Sequence, residues 1–454
     1  MLDSESTIED LYRMNKRHTN RTEQNRRRFL QTTAAAGAGY WVAGDVQLAR
    51  SKSPNQQIQF ACIGVDGKGS SDSANAGNHG QVVAICDVDE RKLKKRKSSE
   101  AFRESKEYFD YRTMLDEMGS KIDAVTISTP DHNHAPAAAI ALKMKKHCFV
   151  QKPLTHSIYE ARVLGDLARK AGVATQMGNQ GTARDGLRKT AAIVQSGALG
   201  TPKEVHVWTN RPVWPQGIER PTETPSVPKY IHWEQWLGPA PSRPYHAAYH
   251  PFKWRGWWDF GTGALGDMAC HTVNMPFMGL NLVNPTSVSA ESSGHNRETY
   301  PAWSVIHFQF PASGDRPALP MTWYDGGKRV PSSLLEGEEP AGSGALIVGD
   351  KGKLYSPGDY GENWKLMGID EPKDIEFVRS PGHFTEWANA ISNGTQSVSN
   401  FPDYAGPLTE TILLGNLAVW SEKTVQWDAE NMTATNAPEL QAIVNREYRD
   451  GYSL

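Results

Sequence analysis

The stretch that most constrains this chain runs from Ile58 to Gly69. An apolar, β-rich run, Ile58 to Ile63, leads straight into Gly64, Val65, Asp66, Gly67, Lys68 and Gly69, and small residues suited to a helix start follow. A strand, a glycine-rich turn and a helix in that order let backbone N–H groups and the positive end of a helix approach a pyrophosphate. A second apolar run, Val82 to Cys86, ends in Asp87, 18 residues after Gly69, where a dinucleotide site places a carboxylate for ribose hydroxyls. A glycine turn alone is usually only a turn. With a strand before it and Asp87 after it, the reading is a nucleotide-binding unit.

The pattern continues downstream. A third run, Ala124 to Ser128, ends in Thr129, Pro130, Asp131, His132, Asn133 and His134, and an Ala-rich helix follows. A fourth, Cys148 to Gln151, ends in Lys152, which Pro153 pushes out of helical geometry into an extended one. Four strands alternating with helices predict a doubly wound parallel sheet, which binds its ligands at strand ends, so Lys152 is a candidate for chemistry. His132 and His134 lack a Cys or carboxylate partner at a ligand spacing; they read as loop residues near a cofactor, and no metal is expected. A helix, Ile158 to Lys170, and a strand, Val173 to Met177, close the unit at Gly178, Asn179 and Gln180. The basic run Arg91 to Lys97 reads as a solvated helix face or as a contact for a 2'-phosphate; Asp87 would repel that phosphate, so NAD is expected over NADP.

From Thr201 the chain shifts towards Pro, Trp and alternating strands, as in Glu204 to Thr209 and Trp303 to Phe310, which predicts a second domain built on a sheet. Seven of the 14 tryptophans fall between Trp208 and Trp258; most are expected in the core, one or two against a sugar ring, with Trp257 and Trp258 nearest the second motif. That motif is Gly261 to His271, GTGALGDMACH, a loop entering a helix on which Asp267 and His271 at i, i+4 share a face. An acid beside an imidazole suits general base work. Further helices are expected around His383 to Ile391 and from Leu408 to Trp420.

At 454 residues the chain exceeds one ordinary core. Its 49 basic and 51 acidic residues give a net charge of -2, which favours neither nucleic acid nor an anionic membrane and suits a small neutral or mildly polar substrate. The four cysteines show no CxxC spacing and read as buried apolar residues. Arg26, Arg27, Arg28, Phe29 and Leu30 precede an uncharged Ala/Gly-rich run from Thr32 to Gly44, the order of a twin-arginine export signal to the periplasm, which is expected here over a basic arm beside an Ala-rich helix. The run is too short to span a bilayer as a helix. The expected division is a leader at 1–55, a nucleotide-binding domain at 56–180 and a substrate and oligomerisation domain at 181–454.

After about residue 56 the chain resembles the Gfo/Idh/MocA oxidoreductases, on GVDGKG, AICD, STPDHNH, QKPLTH, MGNQ, WEQWLGPAP, GALGDMACHTVN and NFPDYAGPLTE. The resemblance implies a Rossmann domain followed by an α/β domain with a large, open, mostly antiparallel sheet, a bound NAD, a sugar, inositol or polyol substrate, and a dimer or tetramer. It also implies roles. Lys152 would hydrogen-bond the reacting hydroxyl, His271 would take or return its proton, and Asp267 would orient that pair. Gly64, Gly67, Lys68 and Gly69 would lie under the pyrophosphate and Asp87 at the adenosine ribose, with Thr129, Pro130, His134, Gln151, Asn179 and Gln180 along the nicotinamide half. This chain departs from the family's usual residues at Asp66 for glycine and Gln151 for glutamate, while many relatives carry an acid where Asn274 stands. Asp66 is expected to crowd and repel a phosphate, and Gln151 to remove a negative charge beside Lys152. Three functions stay open: an NAD-dependent dehydrogenase acting by hydride transfer, a redox-neutral glycosidase or eliminase using tightly held NAD, and a non-catalytic sugar-binding relative.

Overall fold

The computed structural model describes residues 57–454, and the predicted export signal lies outside them. Six strands, β1 (Ile58–Ile63), β2 (Gly80–Cys86), β3 (Lys106–Tyr108), β4 (Ala124–Ile127), β5 (His147–Val150) and β6 (Thr175–Met177), form a sheet in the order β3-β2-β1-β4-β5-β6. Every pairing is parallel. Helices cover both faces, so β4 is buried at every residue and reads as a continuous apolar run. The order reverses between β1 and β4, which places the carboxyl ends of these two strands, at Gly64 and Thr129, beside the crevice where such sheets bind ligands. The three-residue β3, Lys-Glu-Tyr, carries no apolar run and escaped the sequence reading.

The second sheet has nine strands: β7 (Pro202–Trp208), β8 (Ser287–Ser292), β9 (Ser304–Phe310), β10 (Leu319–Tyr324), β11 (Gly344–Gly349), β12 (Lys353–Pro357), β13 (Lys365–Met367), β14 (Val425–Asp428) and β15 (Thr433–Ala434). Their order is β13-β12-β11-β7-β10-β9-β8-β14-β15, antiparallel except for the β7–β10 pair. Burial alternates along β9 and β10, so one face meets the core. The helix Gly406–Ser421 packs there so tightly that a Cβ on Gly415 would stand 2.6 Å from Leu265 and 2.9 Å from Phe308.

The division at residue 180 is not a clean cut. The helix His383–Asn393 returns to the first sheet and places Phe384, Trp387 and Ala390 against Phe60, Phe149 and Ala174. The indole N–H of Trp387 donates to the Ala174 carbonyl at 3.1 Å. Both sheets thus fold as one compact unit from Gln57 to Leu454. All four cysteines are buried and free.

Candidate active site

One cleft of about 540 Å³ opens where the strand ends of the first sheet face the helix Gly263–Thr272. Gly64, Gly67, Lys68, Asp87, Thr129, Pro130, Gln151, Lys152, Gln180, Asp267 and His271 all line it. Residues from both halves of the chain therefore meet, as the motifs require.

The glycine turn forms a cradle. A Cβ on Gly64 would stand 2.5 Å from the Ser128 carbonyl oxygen, and one on Gly69 only 2.1 Å from the Gly64 oxygen, so both positions exclude any side chain. Gly67 has φ of 54° and nothing within 4 Å of its missing Cβ, which leaves open space beside the start of the helix Lys68–His79. Gly69 is structural packing behind this space and does not line the cleft. Asp66 does not behave as expected of a charge facing phosphate. Its carboxylate accepts from Lys92 at 2.5 Å and faces Lys95 at 3.7 Å, and the Lys92 hydrogen bond leads the effects that hold it below the usual carboxylate range. Part of the Arg91 to Lys97 run thus neutralises the turn.

Asp87 accepts the backbone N–H groups of Val65 and Asp89, each at 3.0 Å. Burial pushes its carboxyl up to about 6 against those two bonds. The carboxylate prevails above that value and the neutral acid below it. The glycine cradle with its open side, the helix start and this carboxylate at the end of β2 fit an NAD, whose ribose hydroxyls need an acceptor there.

The catalytic half is a network of charges. The Lys152–Pro153 bond is cis. The Lys152 ammonium donates to the Asp267 carboxylate at 2.6 Å and to its carbonyl at 2.8 Å. Arg255 Nε stands 3.2 Å from the same carboxylate and its Nη1 3.0 Å from both oxygens of Asp131, which also accepts from Thr262 Oγ1 at 2.6 Å. Burial alone would raise the Asp267 carboxyl; Lys152 and Arg255 override it and hold Asp267 well below the usual carboxylate range. His271 lies one turn on, with the Tyr360 ring edge-on at 4.9 Å. Burial, followed by the repulsion of Lys152, keeps its imidazole well below the ordinary range, hence neutral. Its Nδ1 is enclosed without a partner, so Nε2 is the nitrogen left to meet a substrate.

Gln151, the neutral residue before Lys152, is itself held by a buried acid. Its Nε2 donates at 2.8 Å to Asp72, a carboxylate only 1% exposed that also accepts from Ser128 Oγ at 2.8 Å and pairs with Lys68. Because the carboxylate can only accept, the amide is oriented with Oε1 away from Asp72.

Three predicted contacts stand behind the cleft. His134 is buried with its ring nitrogens 2.8 and 2.9 Å from the carbonyl oxygens of Pro153 and Thr129, a strut between two strand-end loops. Asn179 is fully buried and accepts from Ser399 Oγ at 2.6 Å. His132 likewise faces the Phe260 and Trp236 carbonyls. Asn274 donates to Thr182 Oγ1 at 2.8 Å, deep in the core. Trp257 and Trp258 are not sugar platforms. Trp257 is fully buried against Tyr249, and Trp258 lies on Tyr300 with centroids 3.6 Å apart and faces a second, separate cavity. Trp254 lines the cleft instead, under the Arg255 guanidinium. The sequence reading missed Arg255, Arg211 and Asp72; Arg255 and Asp131 are 124 residues apart, and no local pattern signals such a pair. No group of three or more His, Cys, Asp or Glu placed to hold a metal occurs among the described residues.

Comparison with known proteins yields two family models of one oxidoreductase family, Gfo/Idh/MocA. The NAD-binding Rossmann fold matches residues 58–179 and the C-terminal alpha/beta domain residues 185–454. The uncharacterized oxidoreductase YrbE of Bacillus subtilis is 32% identical over 143 residues, 31% of this chain and 40% of that protein. Myo-inositol 2-dehydrogenase of Thermotoga maritima is 26% identical over 158 residues, 34% of this chain and 46% of that protein. The matches span less than half the length of these curated relatives. The WlbA dehydrogenase of Bordetella pertussis, solved with NADH and UDP-GlcNAcA, superposes with a TM-score of 0.59 over 82% of this chain and 99% of that one; at 16% identity this shows the shared fold.

Proposed function

The chain belongs to the Gfo/Idh/MocA oxidoreductase family, and from that premise we propose that it is an NAD-dependent oxidoreductase acting on a hydroxyl of a sugar, inositol or related polyol. The observation that carries this reading is the convergence of Lys152, Asp267 and a neutral His271 in the cleft that also holds the glycine cradle and Asp87. When bound, NAD supplies the acceptor for the hydride that leaves the carbinol carbon. Gly64, Gly67 and the start of the helix Lys68–His79 would hold its pyrophosphate, and Asp87 its adenosine ribose. His271 Nε2 accepts the hydroxyl proton as the carbonyl forms, and returns it in the reverse direction. Lys152 donates to the oxygen on which negative charge develops, and Asp267 keeps that ammonium aimed. Arg255 in turn holds the Asp267 carboxylate, with its Nε at 3.2 Å.

The purified protein is expected to bind NADH in a fluorescence titration and to reduce NAD with at least one member of a sugar and polyol panel. Protein that releases no nucleotide on denaturation and takes up none on titration would rule the reading out. The affinity for NADH is expected to weaken as the pH falls through about 6, because the Asp87 carboxylate that accepts the ribose hydroxyls becomes protonated. A Kd that stays flat across that range would refute the placement of Asp87. The order of Arg26 to Leu30 before the Ala/Gly-rich run supports export by the twin-arginine route, and a reporter fused behind residues 1–55 tests it.

A further inference from the structure

We infer that the substrate is a sugar acid, and that Arg211 is the specificity residue that receives its carboxylate. This rests on the oxidoreductase reading of the cleft. In the cluster around Asp267, the ion pairs of Lys152, Arg211 and Arg255 reach only Asp131 and Asp267, three positive charges against two negative ones. Asp267 alone serves three cations, at 2.6 Å from Lys152, 3.2 Å from Arg255 and 3.7 Å from Arg211. The last distance is beyond a hydrogen bond, so Arg211 is the cation left over. Its Nη1 donates to Asn210 Oδ1, and its Nη2 has no partner among the described residues. The neutral His271 adds no charge to this sum.

Arg211 is also built to stay where it is. Its backbone N–H donates to Thr209 Oγ1 at 3.4 Å and its carbonyl accepts the Gly326 N–H at 2.8 Å, just beyond the end of β7. The side chain lines the cleft and is 25% exposed, so a guest reaches it without rearrangement. An excess cation in a partly enclosed cleft attracts an anion more strongly than it does in water. The guanidinium fork matches a carboxylate through two parallel hydrogen bonds. Charge balance selects among anions. One carboxylate cancels the single excess charge, whereas a phosphate monoester, at about -1.5 to -2, overshoots it. The whole-chain charge of -2, which suited a neutral substrate, conceals this local excess.

The test is calorimetric titration of the NADH-loaded protein with D-glucuronate and D-galacturonate, with D-glucose and D-galactose as their neutral counterparts, and with the two 6-phosphates. At least one acid is expected to bind about tenfold or more tighter than its neutral counterpart. Arg211→Gln should bring that ratio close to one, and Arg211→Lys, which keeps the charge without the fork, should leave it intermediate. A merely structural role for Arg211 would lower acid and neutral sugar together and leave the ratio unchanged. The proposal is overturned by that result, by neutral sugars binding as well as acids, by a 6-phosphate binding tighter than the acid, or by no acid binding. Binding that follows Arg211 without any reduction of NAD would instead count against the oxidoreductase reading and leave the carboxylate site standing.

Discussion

His271→Asn is expected to lower kcat by about 10²–10⁴-fold while the affinity for NADH changes little, the range for losing a positioned general base. The imidazole is suited to the task because it stays neutral: burial opposes its charged form most strongly, and the Lys152 ammonium adds to that opposition. A base whose folded value lies well below the ordinary imidazole value of 6.5 remains unprotonated as the pH falls through that value. With NAD saturating, so that Asp87 drops out, the acid limb of the kcat profile should therefore lie well below 6.5. Asparagine keeps a polar group in place but cannot take the proton. A wild-type limb near the ordinary value, or one that survives unchanged in the variant with kcat intact, would show that another group is the base.

Arg255→Met should destabilise the folded chain by about 3–5 kcal/mol, the usual consequence of removing one member of a buried ion pair. The guanidinium is 14% exposed and holds two acids at once, and Asp131, at 1%, would keep only Thr262 Oγ1. Methionine preserves much of the apolar stem that packs beside Trp254 and Trp214, so the loss is electrostatic in origin. The denaturant midpoint measures it. Arg255→Met combined with Asp131→Leu should recover most of the loss, because the second change removes the carboxylate left unpaired. A single variant within about 1 kcal/mol of wild type, the level of an exposed pair, would mean that water reaches Asp131 and replaces the guanidinium.

The two halves of the catalytic centre differed in how far they could be read from sequence. Asp267 and His271 were legible as a pair because i, i+4 spacing on a helix is a local rule. Asp87 was legible because a strand following a glycine turn places its last residue near that turn. Lys152 was recognisable as a constrained strand-end residue, yet its partner Asp267 is 115 residues away, and only the resemblance joined the two. The partners of Asp66 and Gln151 are not legible in sequence for one shared reason: they are supplied by other elements. Lys92 reaches Asp66 from the helix after β2, and Asp72 reaches Gln151 from the helix after β1. The tryptophans near the second motif were judged by sequence proximity, whereas their ring nitrogens are spent on the backbone carbonyls of Ala248 and Thr299.

The sequence by itself determined what depends on a few consecutive residues: the first sheet's strands other than β3, its glycine cradle, the acid at the end of β2, the constrained lysine and the acid–imidazole helix. These follow from short-range sterics, hydrogen bonding and apolar periodicity. Only the tertiary structure decided which charges meet, because the order of strands and the docking of the two sheets bring Asp131, Arg255, Asp267, Lys152 and Arg211 together from across the chain. Coulomb energy depends on separation in space and on burial, and neither is written in residue spacing.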